Sequence, residues 1–399
     1  MAAAAALLLV IAGCGQTPAI QTRSASPVST SVAPTSPRSA SPSAETAGDI
    51  RVHEIPQRFT TPALAYETDG RAIFWSSGAG GGENATAADL WEFVPGQRSP
   101  QKVFANPRRD SSLPLLRGDG QGHYVFVEQN ARLYGDAGWR LWYLDPPHDP
   151  VLLDKSDVDE GLLPFPSLTS DSIVWAVLHT TNHGVMSQLI EQSQPRETPR
   201  LLAEADAKQR EFLFPSLAGS RLAYTTIDAN SDRTKLSSSV WLWDVSGAGQ
   251  PHRLNPEGDD AFCGVLGSGV VVWQAPALET PFNGGDVELY DLGTNSTERI
   301  LSASRMTTWQ TVGNRFVVAE SENIGEVRAY DLLTRTEFQI DHTPRAAEGE
   351  RDAIDVRPRV AGDLLIFIRG SDNPDKHLSL RWVQLPGTEP DPANSTSAP

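Results

Sequence analysis

The sequence predicts an all-β chain folded as a β-propeller with seven blades of four antiparallel strands each. Two series of short apolar segments indicate this fold, because each series recurs at a nearly constant spacing along the chain. The segments are separated by Gly, Pro, Asp and Asn, and no stretch of useful length has helical periodicity. Units of about 47 residues with four strands each are typical of propeller blades.

The first series consists of three-residue apolar runs that end in an aromatic residue, such as "IVW" at Ile173 to Trp175. The aromatic residues that end these runs are Trp75, Phe126, Trp175, Tyr224, Trp273 and Phe367. Their spacings are 51, 49, 49, 49 and 94 residues, and a further run at Phe316 to Val318 fills the long interval. A four-stranded sheet cannot bury both faces alone, so we expect each ring to fill the gap between neighbouring blades. Seven units result, or six if two of them merge.

The second series consists of apolar strands that end in Asp, and each follows an aromatic run after a loop. An Asp after a strand commonly bonds its own backbone two residues further on and so starts a turn. We therefore predict a structural and not a catalytic role for Asp145, Asp244, Asp291 and Asp331. A short strand before each aromatic run and another after each Asp complete the four strands of a unit.

The two ends of the repeat region predict how the ring closes. The seventh unit stops after "RWVQLP" and lacks a fourth strand, whereas Ile50 to Pro56 precedes the first unit without a partner of its own. We predict that this N-terminal segment completes the last blade and covers an edge that would otherwise pair with other chains. The propeller then spans residues 50–388, and residues 389–399 form a disordered tail.

The repeat resembles a known family. The segments "FPSLAGSRLAYTTID" and "SVWLWDVSGAGQPHRL" look like the WD40-like repeats of TolB-type propellers, in which an apolar strand with an aromatic end precedes a W-x-(apolar)-D turn. The resemblance covers residues 50 to 388 and implies a propeller fold. It implies no single activity, since that family includes scaffolds, periplasmic interaction proteins and the gating domains of peptidases.

The N-terminus is typical of an exported protein. Residues 1–13 hold a short apolar run that suits an export signal, and "IAGC" at Ile11 to Cys14 resembles the lipobox of bacterial lipoproteins. That resemblance implies cleavage before Cys14 and lipidation of its thiol, which would anchor the chain outside the cytoplasmic membrane. No Lys or Arg precedes the apolar run, unlike in most export signals. Residues 14–49 are so rich in Ser, Thr and Pro that we predict a disordered linker.

The charge and cysteine content narrow the choice of partners. The net charge of −17 argues against nucleic acid and against an anionic lipid surface as partners, so we expect membrane contact only through the lipid anchor. Lipidation of Cys14 would leave Cys263 as the only other cysteine, without a disulfide. We expect a monomer that needs no cofactor. We also expect no bound metal, because His179 and His183 have no third ligand at a recognisable spacing.

Loop length predicts which face of the ring binds a partner. The loops from the second to the third strand are long and varied, and in a propeller they share one face with the loops between blades. Three of the loops between blades are acidic and would attract a basic partner or a cation if they surround one mouth. The candidate residues are Asp157, Asp159, Glu160, Glu257, Asp259, Asp260, Glu348, Glu350 and Asp352.

Two classes of binding or catalytic function fit this prediction, and a purely structural role with no ligand is a third alternative. The first is a non-enzymatic binding or scaffolding module for a protein or another cell-envelope component. The second is a carbohydrate-active lyase or hydrolase that uses acidic and aromatic residues at the same mouth. A broad, shallow loop face would favour the binding module, whereas a deep pocket with two close carboxylates or several histidines would favour the enzyme.

Overall fold

The computed structural model describes most of the repeat region. The described residues are 50–55, 65–79, 86–108, 111–130, 138–157, 162–193, 195–230, 235–247, 249–276, 285–301, 306–321, 326–342, 358–369 and 379–386. The predicted signal peptide, Cys14, the linker and the C-terminal tail lie outside them. Within the described residues, no helix has the length and apolarity needed to cross a membrane.

Twenty-eight strands form seven sheets of four antiparallel strands, each of which is one blade. Blade 1 contains β2 (Tyr66–Thr68), β3 (Ile73–Ala79), β4 (Thr86–Phe93) and β5 (Gln101–Phe104). Blade 2 contains β6 (Ser111–Gly118), β7 (Tyr124–Asn130), β8 (Trp139–Leu144) and β9 (Val151–Ser156). Blade 3 contains β10 (Phe165–Leu168), β11 (Ile173–Thr181), β12 (Gly184–Gln192) and β13 (Arg200–Asp206). Blade 4 contains β14 (Arg210–Ala218), β15 (Arg221–Ala229), β16 (Leu236–Asp244) and β17 (His252–Arg253).

The remaining three blades repeat the same order. Blade 5 contains β18 (Phe262–Leu266), β19 (Val270–Pro276), β20 (Gly285–Asp291) and β21 (Ser296–Leu301). Blade 6 contains β22 (Met306–Val312), β23 (Phe316–Ser321), β24 (Glu326–Asp331) and β25 (Thr336–His342). Blade 7 contains β26 (Arg359–Ala361), β27 (Leu364–Arg369), β28 (Ser379–Gln384) and β1 (His53–Glu54).

The first strands of the blades surround the central axis of the ring. Each first strand contacts the first strand of the next blade, and β26 of blade 7 contacts β2 of blade 1. This cyclic order closes the ring and confirms seven blades of four antiparallel strands.

The N-terminal strand completes the last blade, as predicted. His53 pairs with Trp382 and Glu54 pairs with Arg381, and the backbone N–H of Ile55 donates to the carbonyl of Leu380 at 3.0 Å. The Ile55 side chain is buried against blades 1 and 7. The first and last segments of the propeller are therefore held together, and the edge of β28 is covered.

The six aromatic residues of the repeat are all buried, with 3% exposure or less. Each packs on the face of its own blade that contacts the preceding blade. Trp273 of blade 5, for example, packs against Ala223 and Val240 of blade 4. Trp175 of blade 3 packs against Val125 of blade 2. The prediction that the rings fill gaps between blades is confirmed.

Blade 6 departs from this pattern. Its second strand contains the predicted run at Phe316 to Val318, but strand pairing places Ala319 at the position that Trp273 occupies in blade 5. Ala319 packs in the cluster between blades 5 and 6 together with Val272, Leu289 and Leu301. Branched aliphatic side chains from both blades thus fill the gap that an aromatic ring fills elsewhere.

The Asp residues at the ends of the third strands start turns, as predicted. Asp291 Oδ1 accepts hydrogen bonds from the backbone N–H groups of Gly293 at 2.8 Å and Thr294 at 3.0 Å. Asp331 and Asp244 accept equivalent backbone bonds. In blade 2 the carbonyl of Asp145, rather than its side chain, accepts the bond from the turn.

One loop predicted to be long is a tight turn. The strands β11 and β12 continue to a two-residue hairpin in which Thr181 pairs with Gly184. Gly184 has φ of +112°, a backbone conformation that favours glycine and permits the tight reversal. The β-branched residues before and after the turn extend the pairing. Blade 3 therefore carries a long hairpin where the sequence predicted an irregular loop.

Candidate binding face

The order of strands places two sets of connections on one face of the ring, which we call the loop face. These connections run from the second to the third strand of each blade and from the fourth strand of one blade to the first strand of the next. The short turns from first to second and from third to fourth strand lie on the opposite face, which we call the turn face. The predicted acidic residues that the structure describes lie on the loop face.

The acidic loop after blade 2 is described only at its start. The side chain of Asp157 is 70% exposed, and its carboxylate lies 3.8 Å from Arg140 Nη2 and 3.5 Å from Lys155 Nζ. Asp159 and Glu160 lie outside the described residues. The two cations partly offset the charge of Asp157, although solvent weakens such exposed ion pairs.

The acidic loop after blade 4 is fully described. The Oδ1 atom of Asp260 accepts a hydrogen bond of 2.7 Å from the backbone N–H of Ser238, so this side chain joins the loop to β16. The carbonyl of Asp259 accepts a bond of 3.1 Å from Arg253, which shapes the loop. Glu257 and Asp259 are exposed at the surface. Asp260 is exposed as well, so all three predicted residues lie at the surface, and Asp260 also has a structural role through its bond to Ser238.

The third acidic loop, with Glu348, Glu350 and Asp352, lies outside the described residues. Among the described residues, Asp157 follows blade 2 whereas Glu257 and Asp259 follow blade 4, so blade 3 stands between the two loops. The structure places these acids on one face. Their arrangement around a single mouth remains a prediction.

A half-buried pair of Asp154 and His179 joins blades 2 and 3 close to the loop face. The Oδ2 atom of Asp154 lies 3.2 Å from His179 Nε2 and accepts a 2.8 Å bond from the indole N–H of Trp175. The ring of Trp139 packs 5.8 Å from the imidazole. His183 is exposed at the tip of the blade 3 hairpin. Sequence reasoning missed Asp154, because nothing in its strand marks it as a partner of a residue 25 positions away.

The carboxyl groups with raised pKa values lie toward the turn face. Asp69 follows the first strand of blade 1 with no exposed side-chain surface, and desolvation raises the pKa of its carboxyl despite bonds from the backbone of Ala72 and Arg71. Glu337 is at the start of the outermost strand of blade 6, where burial also raises its pKa. Among the described residues, no group of three or more His, Cys, Asp or Glu side chains is arranged to hold a metal ion.

Comparison with known proteins identifies only architecture. No family model and no curated protein matches the sequence. The β-propeller domain of the Trilobed protease from Pyrococcus furiosus matches 71% of this chain over 83% of its own length, with 13% identity and a TM-score of 0.50. The shared feature is the fold. That domain is described as having an open velcro topology, whereas here β1 pairs with β28 across the ring closure.

Two other structures are similar at lower TM-scores. TolB from Acinetobacter baumannii matches 69% of this chain with 13% identity and a TM-score of 0.45, and the chain spans 64% of that protein. An oligogalacturonate lyase from Vibrio parahaemolyticus matches 85% of this chain and 92% of its own length, with 9% identity and a TM-score of 0.48. At such identities these structures are similar in architecture alone.

Proposed function

We propose that this chain is a lipid-anchored, extracytoplasmic module that binds a protein or another cell-envelope component through its loop face and has no enzymatic activity. The propeller supports the proposal because a rigid ring holds its variable loops on one side, as binding surfaces commonly require. The loop face is acidic at Glu257, Asp259 and Asp157, so the proposed partner presents a basic surface.

The structural contacts of the described loop-face acids carry the choice of binding over catalysis. A hydrolase or lyase commonly has titratable groups with shifted pKa values at the site where the substrate lies. Among the described residues, the carboxyl groups with raised pKa values are Asp69 and Glu337, both near the turn face. On the loop face, Asp260 bonds backbone and Asp154 bonds Trp175 and His179. These contacts hold strands and loops together.

The proposed anchor explains how the module stays at the cell envelope. Cys14 would carry the lipid, and residues 15–48 would separate it from the first strand. A flexible chain of that length spans about 30 Å on average, so the loop face could sample the space above the membrane. The partner would be a protein or polymer within that distance of the membrane surface.

Affinity capture from the membrane fraction tests the proposed function. The bait is the full chain, and the test variant replaces Asp157, Glu257 and Asp259 by Asn, Gln and Asn while leaving Asp260 intact. The matched control replaces the exposed acids Asp149, Asp171 and Glu197 of the turn face in the same way. We expect the test variant to lose a salt-sensitive partner that the wild type and the control retain. Equal capture by all three chains would contradict the acidic loop face as the binding surface.

The anchor is tested separately with Cys14→Ser. We expect this variant to lose lipid labelling and to leave the membrane fraction, while its unfolding midpoint stays unchanged because residue 14 precedes the propeller. Continued lipid labelling would contradict the role proposed for Cys14.

A further inference from the structure

The first strands of the seven blades carry one structurally equivalent position that borders the central channel. At this position each residue pairs with the residue just before the aromatic position of the following run, as Glu67 pairs with Phe74, and in blade 6 Thr311 pairs with Val318, which precedes Ala319. The equivalent residues in blades 1 to 7 are Glu67, Arg117, Ser167, Ser216, Val265, Thr311 and Arg359. Three of the seven are charged, although this position lies in the interior of the ring.

The hydroxyl groups at this position hold neighbouring blades together. Ser167 Oγ accepts the backbone N–H of Leu217 at 2.9 Å, and Ser216 Oγ accepts that of Leu266 at the same distance. Each bond joins the first strands of two successive blades. These hydroxyls therefore have a structural role. Packing does not explain why the other polar residues at this position are charged.

The three charged residues meet where the first and last blades close the ring. Arg117 Nη1 lies 2.6 Å from Glu67 Oε2, and Arg359 Nε lies 3.4 Å from the same oxygen. The side chains of Glu67 and Arg359 are 11% and 17% exposed, whereas that of Arg117 is 36% exposed. Two guanidinium groups thus converge on one carboxylate oxygen inside a protein whose net charge is −17.

Arg117 uses only part of its hydrogen-bonding capacity. Its Nη1 atom donates to Glu67 and to the carbonyl of Leu116, while Nε and Nη2 have no hydrogen-bond partner among the described residues. Desolvation and the nearby charge of Arg359 lower the pKa of Arg117, and Glu67 opposes them. The guanidinium is thus held in place through Nη1, and its Nε–Nη2 edge is available to a ligand. This edge has the planar geometry that pairs with a carboxylate through two parallel bonds.

Two partly buried apolar side chains, Leu115 and Phe214, lie on the first strands of blades 2 and 4. Leu115, two residues before Arg117, packs against the cluster of blades 3 to 5 that contains Phe165, Phe214 and Phe262. Phe214 is half-buried, with ring centroids 4.6 Å from Phe165 and 5.1 Å from Phe262. Its φ of +49° is in the left-handed region that a bulky residue rarely adopts, and it occurs at a bulge in β14.

We propose that the central channel binds an organic acid whose carboxylate pairs with the Nε–Nη2 edge of Arg117 and whose apolar group contacts Leu115 and Phe214. Glu67 and Arg359 act as positioning residues, because they fix the guanidinium without occupying that edge. A free acid and the C-terminus of a peptide with a terminal apolar residue offer the same chemistry. This site is separate from the loop face and does not depend on the partner proposed for it.

Ligand-observed NMR titration of the full chain tests the site with four probes. The probes are 3-phenylpropionate, its neutral amide, and a tripeptide ending in Phe with a free or an amidated C-terminus. We expect both acids to bind and both amides to bind at least about tenfold more weakly, since hydrogen bonds between charged groups have this strength. If only one of the two acids binds, the result shows whether the carboxylate comes from a free acid or from the C-terminus of a peptide. Equal binding of acid and amide, or tighter binding of inorganic phosphate, would overturn the proposal.

Four variants test the assigned residues. Arg117→Gln should weaken binding of the acid at least about tenfold, and Arg117→Lys should recover only part of the loss, because Lys lacks the planar edge. Glu67→Gln should tighten binding, since it removes a negative charge beside the site while the Gln amide oxygen can still accept the bond that positions Arg117. Arg299→Gln changes the same charge on an outer strand, where Arg299 pairs with Asp286, and should leave binding unchanged. Unaltered binding in Arg117→Gln, with a native circular dichroism spectrum, would refute the assignment.

Discussion

Replacing Trp273 by Ala directly tests how the ring is held together. The Trp273 side chain has no exposed surface and packs between blades 4 and 5 against Ala223, Val240 and Val271. Its indole N–H donates to Glu288 at 3.1 Å. Among the described residues, the cluster around the ring consists of side chains of blades 4 and 5 and the loop between them, so the loss reports on the contact between those blades.

The expected loss follows from the buried area. A buried aromatic side chain hides about 150–250 Å², which at about 25 cal/mol per Å² gives roughly 4–6 kcal/mol as an upper estimate. Measured losses for buried Trp→Ala changes are about 3–5 kcal/mol. We therefore expect Trp273→Ala to lower the free energy of unfolding by about 3–5 kcal/mol. Trp243→Ala is the comparison, because Trp243 is only half-buried at the margin of the cluster between blades 3 and 4 and should cost less than Trp273→Ala.

Urea unfolding followed by far-UV circular dichroism measures both variants, because this signal does not depend on the number of tryptophans. The slope of the free energy with urea should stay unchanged, so that the shift in midpoint reports stability. Equal losses for Trp273→Ala and Trp243→Ala would refute the reasoning. A loss below about 1 kcal/mol for Trp273→Ala would do the same, since neighbouring side chains would then close the gap unaided.

Three further predictions concern ring closure, acid stability and thiol reactivity. Ile55→Ala should lower the free energy of unfolding by about 2–5 kcal/mol in urea titrations, because Ile55 is buried where β1 closes the ring; an unchanged midpoint would contradict closure through β1. Burial raises the pKa of Asp69 above 3.8 in the folded protein. The folded protein is therefore most stable when Asp69 is protonated, and it loses that stability as pH rises through the folded-state pKa. Asp69→Asn should therefore raise the unfolding midpoint at pH 7 and change it little near pH 3. A larger gain at pH 3 than at pH 7 would contradict this pH dependence. Cys263 is buried with a raised pKa, so in the Cys14→Ser background a thiol reagent at pH 8 should label it only after denaturation, and rapid labelling of that native variant would contradict its burial.

The binding face could be predicted only in part from the sequence. Loop length and charge predicted the face, but they could not show that Asp260, exposed like Glu257 and Asp259, also bonds the backbone of Ser238. Similar acidic letters in one loop therefore have different roles. The difference depends on where β16 runs relative to the loop, which is a tertiary relation.

Local patterns also misjudged two places in the repeat. The hairpin of blade 3 continues as paired strands to Gly184, because β-branched residues can extend a ladder as readily as they can stand in a loop. In blade 6, Ala319 takes the place of an aromatic residue, and aliphatic side chains of blade 5 compensate. Side chains of two neighbouring blades together fill the space between them, so the sequence of one blade alone does not determine the size of its side chains there.

The sequence by itself predicted seven blades, with six as the alternative, together with their strands and the closing segment, and the cyclic order of the sheets decided the number. Strand alternation, turn residues and the spacing of buried rings are local properties that repeat with the chain, and "IRVHEIP" was visibly without a partner. Only the tertiary structure brought Glu67, Arg117 and Arg359 to one point in the channel. These residues belong to blades 1, 2 and 7, and closing a ring makes the first and last blades neighbours however far apart they lie in the chain.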